Sequence, residues 1–344
     1  MSKVVRKIVG ILIIATMGLS MVACKSVASK GEDSAGGKEN LSGEITIYTS
    51  QPEEDIDQLI QKFNEGQPDI TVNVFRSGTE EVVSKILAEK EADAIQADVL
   101  LVADSVTFES LKEQDMLLSY KSDELDGINE MFIDEDNTYT GTKIISTGII
   151  VNTNEDTSNI KSFGDLVEDA YKDKVIMPSP IYSGAAAYNL GVITRSEELG
   201  WDYYEGLKSN GITVDKGNGA VLKAVAAGEK SAGIIVDYMA VRSANEGSPV
   251  EFVYPEEGSP VITEPIGILK GTEKEELAQV FVDFVLSEEG QTAASEMGYT
   301  PIKESVKAPL GLKSIKEINV MYSDNDLLLK EREADKEEFG TIFN

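Results

Sequence analysis

Hydrophobic periodicity in the first third of the chain predicts strands that alternate with amphipathic helices. Ile56, Leu59, Ile60 and Phe63 repeat at the i, i+3, i+4, i+7 spacing of a helix with one apolar face. The run 99–102 is almost wholly apolar, which is typical of a strand buried in a parallel sheet. This alternation predicts βαβ units and a mainly parallel sheet. Strands are expected at 44–48, 70–75 and 99–102, and helices after Pro52, at 80–91 and around Phe108 and Leu111.

Two long β-rich runs divide the rest of the chain. The run 143–151 is expected to cross into a second lobe, and the run 262–269 is expected to return from it. Short apolar strands and helices alternate between them. The strands are expected at 175–177, 232–236 and 252–254, and the helices at 163–166, 184–197, 201–207 and after Gly219, with a further helix at 275–287 beyond the return strand.

The N-terminal segment has the pattern of a secretory signal. Lys3, Arg6 and Lys7 precede an apolar run at 8–22 that is shorter than a membrane-spanning helix needs. Small and apolar residues then lead to Cys24, and this junction resembles the lipobox of bacterial lipoproteins. We expect cleavage before Cys24, lipidation of its thiol, and an extracytoplasmic protein anchored by that lipid to the bacterial cell membrane. A plain secretory signal with a chance cysteine is the alternative.

These patterns together predict the domain organisation. The expected segments are a signal peptide at 1–23, a flexible tether at 24–42, a discontinuous first lobe at 43–142 and 263–312, a second lobe at 143–262, and a C-terminal helical tail at 313–344 with helix signals at 315–318 and 327–329.

Composition narrows the chemistry. The formal net charge is −30, which argues against nucleic acid as a partner because phosphate contacts need clustered Lys and Arg. The chain has no His and one Cys. Histidine-based catalytic triads, most zinc sites and an internal disulfide are therefore ruled out. The simplest role of the acidity is solubility.

Polar residues recur where a predicted strand ends and a helix begins. Backbone N–H groups at a helix start have no partner within the helix and, with the helix dipole, favour an anion. Hydroxyls and an Arg add further donors, and a strand-end Asp could bind an ammonium or sugar hydroxyls. Helix capping is the alternative for each turn, and a surface salt bridge is the alternative for the Arg. The candidate ligand-binding residues are Thr49, Ser50, Gln51, Arg76, Ser77, Gly78, Thr79, Asp104, Ser105, Ser183, Gly184, Ala185, Asp237 and Tyr238.

The order of these motifs along the chain resembles a known family. The lipobox is followed by YTSQ, an SGT turn that opens a helix, LLVADS, TGIIVNT, MPSP before SG, GIIVDY, and FVDFVLSEEGQ before GYTPI. Over about residues 43–312 this order resembles extracellular solute-binding proteins of ABC importers, in the branch with ferric-ion, hexose-phosphate and 2-aminoethylphosphonate binders. The resemblance implies an α/β, two-lobed type II periplasmic-binding-protein fold, with a mixed, mainly parallel sheet in each lobe and the ligand cleft between the lobes.

The resemblance also implies a function. It suggests a binding protein, with no cofactor or resident metal, that captures a small anionic organophosphorus solute and passes it to an ABC permease and ATPase complex. Ferric members of the branch typically use an adjacent Tyr pair, often with His and Glu, whereas this chain has only Tyr238 after Asp237. The solute is expected to be 2-aminoethylphosphonate-like or sugar-phosphate-like, with ferric ion as the alternative. We expect a monomer.

Two other classes remain as less favoured hypotheses. An extracellular hydrolase would need an activated nucleophile or a paired acid and base, and no motif singles one out among the 61 acidic residues. An adhesion lipoprotein would not need polar turns at the ends of successive strands.

Overall fold

The computed structural model describes residues 41–343. The predicted signal peptide, the lipidation site Cys24 and the predicted tether up to residue 40 lie outside the described residues. Within the described part, no helix is long and apolar enough to cross a membrane.

Strands and helices alternate along most of the described chain. The strands are β1 (Gly43–Thr49), β2 (Ile70–Arg76), β3 (Val99–Leu101), β4 (Leu117–Leu118), β5 (Thr140–Asn152), β6 (Val175–Pro178), β7 (Thr213–Asp215), β8 (Ala232–Val236), β9 (Val250–Val253), β10 (Val261–Leu269) and β11 (Thr300–Pro301). The helices are α1 (Glu53–Gly66), α2 (Thr79–Glu91), α3 (Ser105–Glu113), α4 (Gly184–Thr194), α5 (Gly200–Ser209), α6 (Asn218–Ala226), α7 (Asp237–Asn245), α8 (Glu275–Leu286), α9 (Glu288–Glu296) and α10 (Asn325–Phe343).

The strands join in the order β2-β1-β3-β10-β5-β8-β6-β7. Strands β2, β1 and β3 are parallel at one end, and β8, β6 and β7 are parallel at the other. The long strand β5 connects them, because residues 140–146 pair antiparallel with β10 and residues 147–151 pair antiparallel with β8. The predicted crossing and return strands are therefore both present and lie side by side.

Separate apolar cores cover the two ends of the sheet. One packs Phe63 and Phe281 against β1, β3 and β10. Another packs Phe163 and Tyr203 against the far half of β5 and β8. All residues of β3, β6 and β8 are buried, which explains why these strands read as continuous apolar runs rather than alternating ones. The residue limits given above for the two lobes remain a prediction.

Helix α10 lies along both halves of the molecule. Its Leu328 packs with Val106 of α3 and Val192 of α4, and its Phe339 packs edge-on to Tyr204 of α5 at 6.1 Å between ring centroids. The predicted helix signal at 327–329 thus belongs to a helix of 19 residues. The signal at 315–318 was wrong, because those residues form a turn before the helix. Helix α4 also ends at Thr194 rather than near residue 197.

Candidate functional site

A cavity of about 300 Å³ opens where several strands end and helices begin. This is the edge at which α/β folds place their ligands. Eight of the fourteen predicted ligand residues line the cavity: Ser50, Arg76, Gly78, Thr79, Ser183, Gly184, Ala185 and Tyr238. Both ends of the sheet contribute to it, since α2 follows β2 and α4 follows β6.

Helices α2, α4 and α6 begin at the cavity wall. Helices α2 and α6 are preceded by Gly78 and Gly217, which supply no capping side chain, and α4 is preceded by Ser183, whose Oγ accepts from the Ala186 N–H at 3.3 Å. The first-turn N–H groups of a helix have no acceptor one turn earlier, so an anion can take them. The positive ends of three helix dipoles add to the attraction. This part of the cavity is suited to a group with several acceptor oxygens.

Two glycines allow the walls of the cavity to approach closely. A Cβ on Gly78 would lie 2.5 Å from the carbonyl oxygen of Tyr182, and a Cβ on Gly184 would lie 2.7 Å from that of Ala103. The Glu80 N–H also donates to the Tyr182 carbonyl oxygen at 3.4 Å. The two ends of the sheet therefore touch beside the cavity, and a side chain at either glycine would separate them.

A buried ion pair forms the strand side of the cavity. Glu264 of β10 lines the cavity and is 5% exposed. Its Oε2 lies 2.5 Å from Lys143 Nζ of β5 and accepts from Gln51 Nε2 at 2.9 Å. Lys143 Nζ also lies 4.7 Å from the centre of the Tyr299 ring. Antiparallel pairing of β10 with β5 brings these charges together although they are far apart in sequence.

Aromatic, apolar and cationic side chains complete the cavity. The Tyr238 ring lies 4.2 Å from the Tyr299 ring between centroids, and burial raises the pKa of the Tyr238 phenol. Lys216 Nζ lies 5.0 Å from the centre of the Tyr182 ring. Arg76 Nε donates to the Gln51 carbonyl oxygen at 2.8 Å, which fixes the guanidinium beside the cavity. The apolar lining consists of Pro52, Ala103, Ile145, Val236, Met239 and Ile262.

The first-loop residues Thr49 and Gln51 lie behind the cavity wall. Thr49 Oγ1 donates to the Leu101 carbonyl oxygen at 2.8 Å and accepts from the Gln51 N–H at 3.1 Å. The Gln51 amide turns to Glu264 instead of facing the cavity. These two residues therefore support the site without lining it. Ser77 is also absent from the cavity lining, and its hydroxyl donates to the exposed Glu81 Oε2.

Neither strand-end Asp lines the cavity. Asp104 is fully buried, caps α3 by accepting from the Thr107 N–H at 2.9 Å, and pairs with Arg332 of α10 at 3.1 Å. Ser105 is the first residue of α3 and does not line the cavity. Asp237 is buried at the start of α7, where its Oδ1 accepts from the Ser146 N–H at 3.2 Å. Burial raises the pKa of the Asp237 carboxyl to about 7.

Sequence reasoning missed several residues that line the cavity. Gly217, Asn218, Gly219 and Ala220 follow the same strand–turn–helix pattern as the residues around Gly78, so the pattern could have identified them. Tyr182 and Lys216 lie in the short loops that precede α4 and α6, and no local signal distinguishes them from surface residues. Glu264 lies inside a strand, where its role depends on the pairing of β5 with β10. Within residues 41–343, no group of three or more Cys, Asp and Glu side chains could hold a metal ion.

Comparisons with known proteins agree with this architecture. Residues 58–319 match the profile of the family described as bacterial extracellular solute-binding protein. The "Probable ABC transporter periplasmic-binding protein y4fP" of Sinorhizobium fredii is 24% identical over 76% of this chain and 75% of its own length.

Two solved structures share the fold. The periplasmic binding protein AfuA of Actinobacillus pleuropneumoniae, with fructose 6-phosphate bound, has a TM-score of 0.78 at 24% identity and covers 87% of this chain and 98% of its own. Iron-bound HitA of Pseudomonas aeruginosa has a TM-score of 0.76 at 22% identity and covers 86% of this chain and 99% of its own. These neighbours confirm the predicted type II periplasmic-binding-protein fold. Because the family profile spans most of the chain, this protein belongs to the family of bacterial extracellular solute-binding proteins.

Proposed function

We propose that the chain captures a small organophosphorus anion in this cavity and delivers it to the permease and ATPase complex of an ABC importer. The observation that carries the proposal is the convergence of three helix starts, α2, α4 and α6, on one cavity of about 300 Å³. This volume is at the small end of the range of roughly 300–1,000 Å³ that is typical of ligand pockets. A phosphoryl or phosphonyl group has three terminal oxygens, which match several N–H donors presented from different directions.

The rest of the lining favours an organic anion over bare phosphate. Ile145, Met239 and Ile262 provide apolar surface, and Tyr238 provides an aromatic one. Arg76 and Lys216 add positive charge that inorganic and organic phosphates would share. The fructose 6-phosphate bound by AfuA is a solute of this kind in a protein of the same fold. A 2-aminoethylphosphonate-like or a sugar-phosphate-like solute fits this description.

Ferric ion is the second candidate, because Tyr182, Tyr238 and Glu264 line the same cavity and iron-bound HitA shares the fold. Two features count against it. Burial raises the pKa of the Tyr238 phenol, which disfavours the phenolate that would bind iron. Lys143 already occupies one oxygen of Glu264 and balances its charge, so the pair offers a bare trivalent ion no net negative charge. An organophosphorus anion is therefore the better proposal.

Delivery would follow from closure of the lobes on the solute. A bound anion that contacts α2 and α4 together would favour the state in which Gly78 and Gly184 meet the opposite wall. A lipid on Cys24 would keep the protein at the outer face of the membrane near its permease, and a monomer would suffice for this role.

The direct test is thermal unfolding of the purified protein against a ligand panel of 2-aminoethylphosphonate, glucose 6-phosphate, inorganic phosphate and ferric citrate. A ligand at about a thousand times its dissociation constant should stabilise the protein by roughly 4 kcal/mol, which is a shift of several degrees. We expect the shift with an organophosphorus compound. A shift with ferric citrate alone would replace this proposal by the ferric one.

A charge-matched pair of variants links the shift to the cavity. Lys216→Met removes a cation that lines the cavity, whereas Lys223→Met removes an exposed cation from α6. Both change the net charge equally, so long-range electrostatics are matched. We expect isothermal titration to show weaker binding, by roughly two- to tenfold, in the first variant only, because Lys216 is largely exposed and its charge is screened. Equal affinity in the two variants would remove Lys216 from the site.

A further inference from the structure

We propose that Glu264 is the specificity-determining residue of the cavity. Its carboxylate accepts a hydrogen bond from a hydroxyl or ammonium group on the organic part of the solute. The inference rests on the proposed function and deepens it. It defines the solute as a two-ended molecule, with a phosphoryl or phosphonyl group for the helix starts and a hydrogen-bond donor for the strand side.

The first observation is that the two oxygens of the Glu264 carboxylate differ in their hydrogen-bond partners. The side chain is 7% exposed, and its protein partners, Lys143 Nζ and Gln51 Nε2, both contact Oε2. Among the described residues, no donor bonds to Oε1. Oε1 keeps contact with the cavity rather than being sealed inside the protein, and a carboxylate oxygen is costly to leave without a donor once a solute excludes water from it. A solute that fills the cavity therefore has to supply a donor there.

The second observation is that the carboxylate is held in place from behind. Gln51 is 2% exposed, and its backbone N–H is fixed by Thr49 Oγ1, which in turn donates to the Leu101 carbonyl oxygen. The Gln51 amide then donates to Glu264. A preorganised acceptor discriminates more sharply than a mobile one, because little ordering is left for the solute to impose.

Charge balance explains which donors are acceptable. Lys143, with a side chain 5% exposed, already balances the charge of Glu264. A neutral hydroxyl can therefore bind Oε1 without leaving a net buried charge. An ammonium adds a charge-assisted hydrogen bond, and its positive charge is balanced by the phosphonyl group of the same solute. A methyl group, or a second anionic group, would leave Oε1 unpaired or repelled.

Three nearly isosteric compounds test this inference. 2-Aminoethylphosphonate, 2-hydroxyethylphosphonate and ethylphosphonate share the phosphonyl group and differ only at the far end, which carries an ammonium, a hydroxyl or a methyl group. We expect the wild-type protein to bind one or both donor-bearing compounds roughly 10- to 100-fold more tightly than ethylphosphonate in isothermal titration.

The variant Glu264→Gln tests whether Glu264 causes that preference. The amide keeps the shape and one acceptor oxygen but loses the charge, so preference for the ammonium compound should fall most and preference for the hydroxyl compound should fall less. Affinity for ethylphosphonate should stay within about threefold of the wild type. Glu251→Gln is the matched control, because Glu251 is an exposed strand carboxylate on β9.

Lys143 loses its counter-charge in the single variant, which could destabilise the fold. The double variant Lys143→Gln with Glu264→Gln keeps the pair neutral and isosteric and should show the same loss of preference with native circular dichroism. Binding of all three compounds with equal affinity by the wild type, or an unchanged preference in the folded variants, would overturn the role of Glu264 and leave the proposed function intact. Failure of every organophosphorus compound to bind would instead overturn the proposed function itself.

Discussion

The ends of β3 and β8 are equivalent places in the two halves of the molecule. Each is followed by a buried Asp, and the two Asp residues have different hydrogen-bond and ion-pair partners. Asp104, after β3, contacts Arg332 Nη1 of α10 at 3.1 Å. Asp237, after β8, accepts hydrogen bonds from backbone N–H groups, and within residues 41–343 no salt bridge reaches it. Strand topology brought both acids to the same edge, but the side chains packed around them decided their chemistry.

The difference separates a carboxylate paired with a cation from one that backbone N–H groups hold. Arg332 lies among Asp104, Glu80 and Thr107, and Lys336 Nζ adds a contact to Glu80 Oε2 at 2.9 Å. Asp237 lacks such a cation, and burial raises the pKa of its carboxyl to about 7. An acid is available to a solute only when it faces the cavity. Glu264, inside β10, lines the cavity, and neither strand-end Asp does.

Replacing Arg332 would break this comparison most severely. The variant Arg332→Met should leave the fully buried Asp104 carboxylate without a cation, whereas the half-buried Glu80 keeps Lys336. We expect a loss of about 3–5 kcal/mol in the free energy of unfolding, or a fall on the order of 10 °C in melting temperature. Lys330→Met is the control, because the Lys330 side chain on the same helix is 77% exposed and should change stability by less than about 0.5 kcal/mol. A similar small loss in both variants would mean that α10 is not held by this cluster.

Replacing Asp237 would sharpen the comparison through pH. The folded pKa is about 7, well above the value of about 3.9 in an unfolded chain. The folded protein therefore holds a proton that the unfolded chain releases, and the stability from this group is full below about pH 4 and is lost as the pH rises through 7. Asp237→Asn keeps the two backbone hydrogen bonds, because both N–H groups donate to Oδ1, and it exchanges only the long 3.5 Å bond in which the Tyr254 hydroxyl donates to Oδ2.

The variant should therefore unfold like the wild type at pH 4.5 and be more stable at pH 8, by on the order of 2–4 kcal/mol. Denaturant unfolding at the two pH values measures this difference. Asp69→Asn, at an exposed position, should show no such pH dependence. A variant that is less stable than the wild type at pH 8 would show that the ionised carboxylate is tolerated in the fold.

The fold was more predictable than the site because its signals are local. Buried strands such as 99–102 and 232–236 are continuous apolar runs, and the Phe63 and Phe281 helices carry ordinary apolar stripes. The contacts that decide the site are long-range. Gln51 meets Glu264 across 213 positions, and Asp104 meets Arg332 across 228. No periodicity reports such a pair, so Asp104 and Gln51 were expected to face the solute and Glu264 was overlooked.

The helix starts were partly predictable for a related reason. Gly78, Ser183 and Gly217 precede helices that open toward the cavity, and in two of them the capping position has no side chain to compete with a solute. Asp104 closes its own helix by capping it. A glycine cap after a strand is therefore a better sign of an anion site than an Asp cap. The sequence around Gly217 shows the same pattern as that around Gly78, because in both places a glycine lies between a strand and a helix.

The smallest expected effect is on solute affinity, and it distinguishes the hydroxyls of Ser77 and Thr79. The sequence predicts both as ligand-binding residues. Thr79 is 2% exposed and lines the cavity, whereas Ser77 does not line it and its hydroxyl donates to the exposed Glu81. Thr79→Ala should weaken organophosphonate binding by roughly two- to tenfold, as expected for one lost hydrogen bond. Ser77→Ala should leave affinity unchanged, and the double variant should match Thr79→Ala within error because the residues share no partner. Isothermal titration of the three variants measures these affinities. If Ser77→Ala loses as much affinity as Thr79→Ala, both residues of the turn contact the solute and the predicted difference between them is wrong.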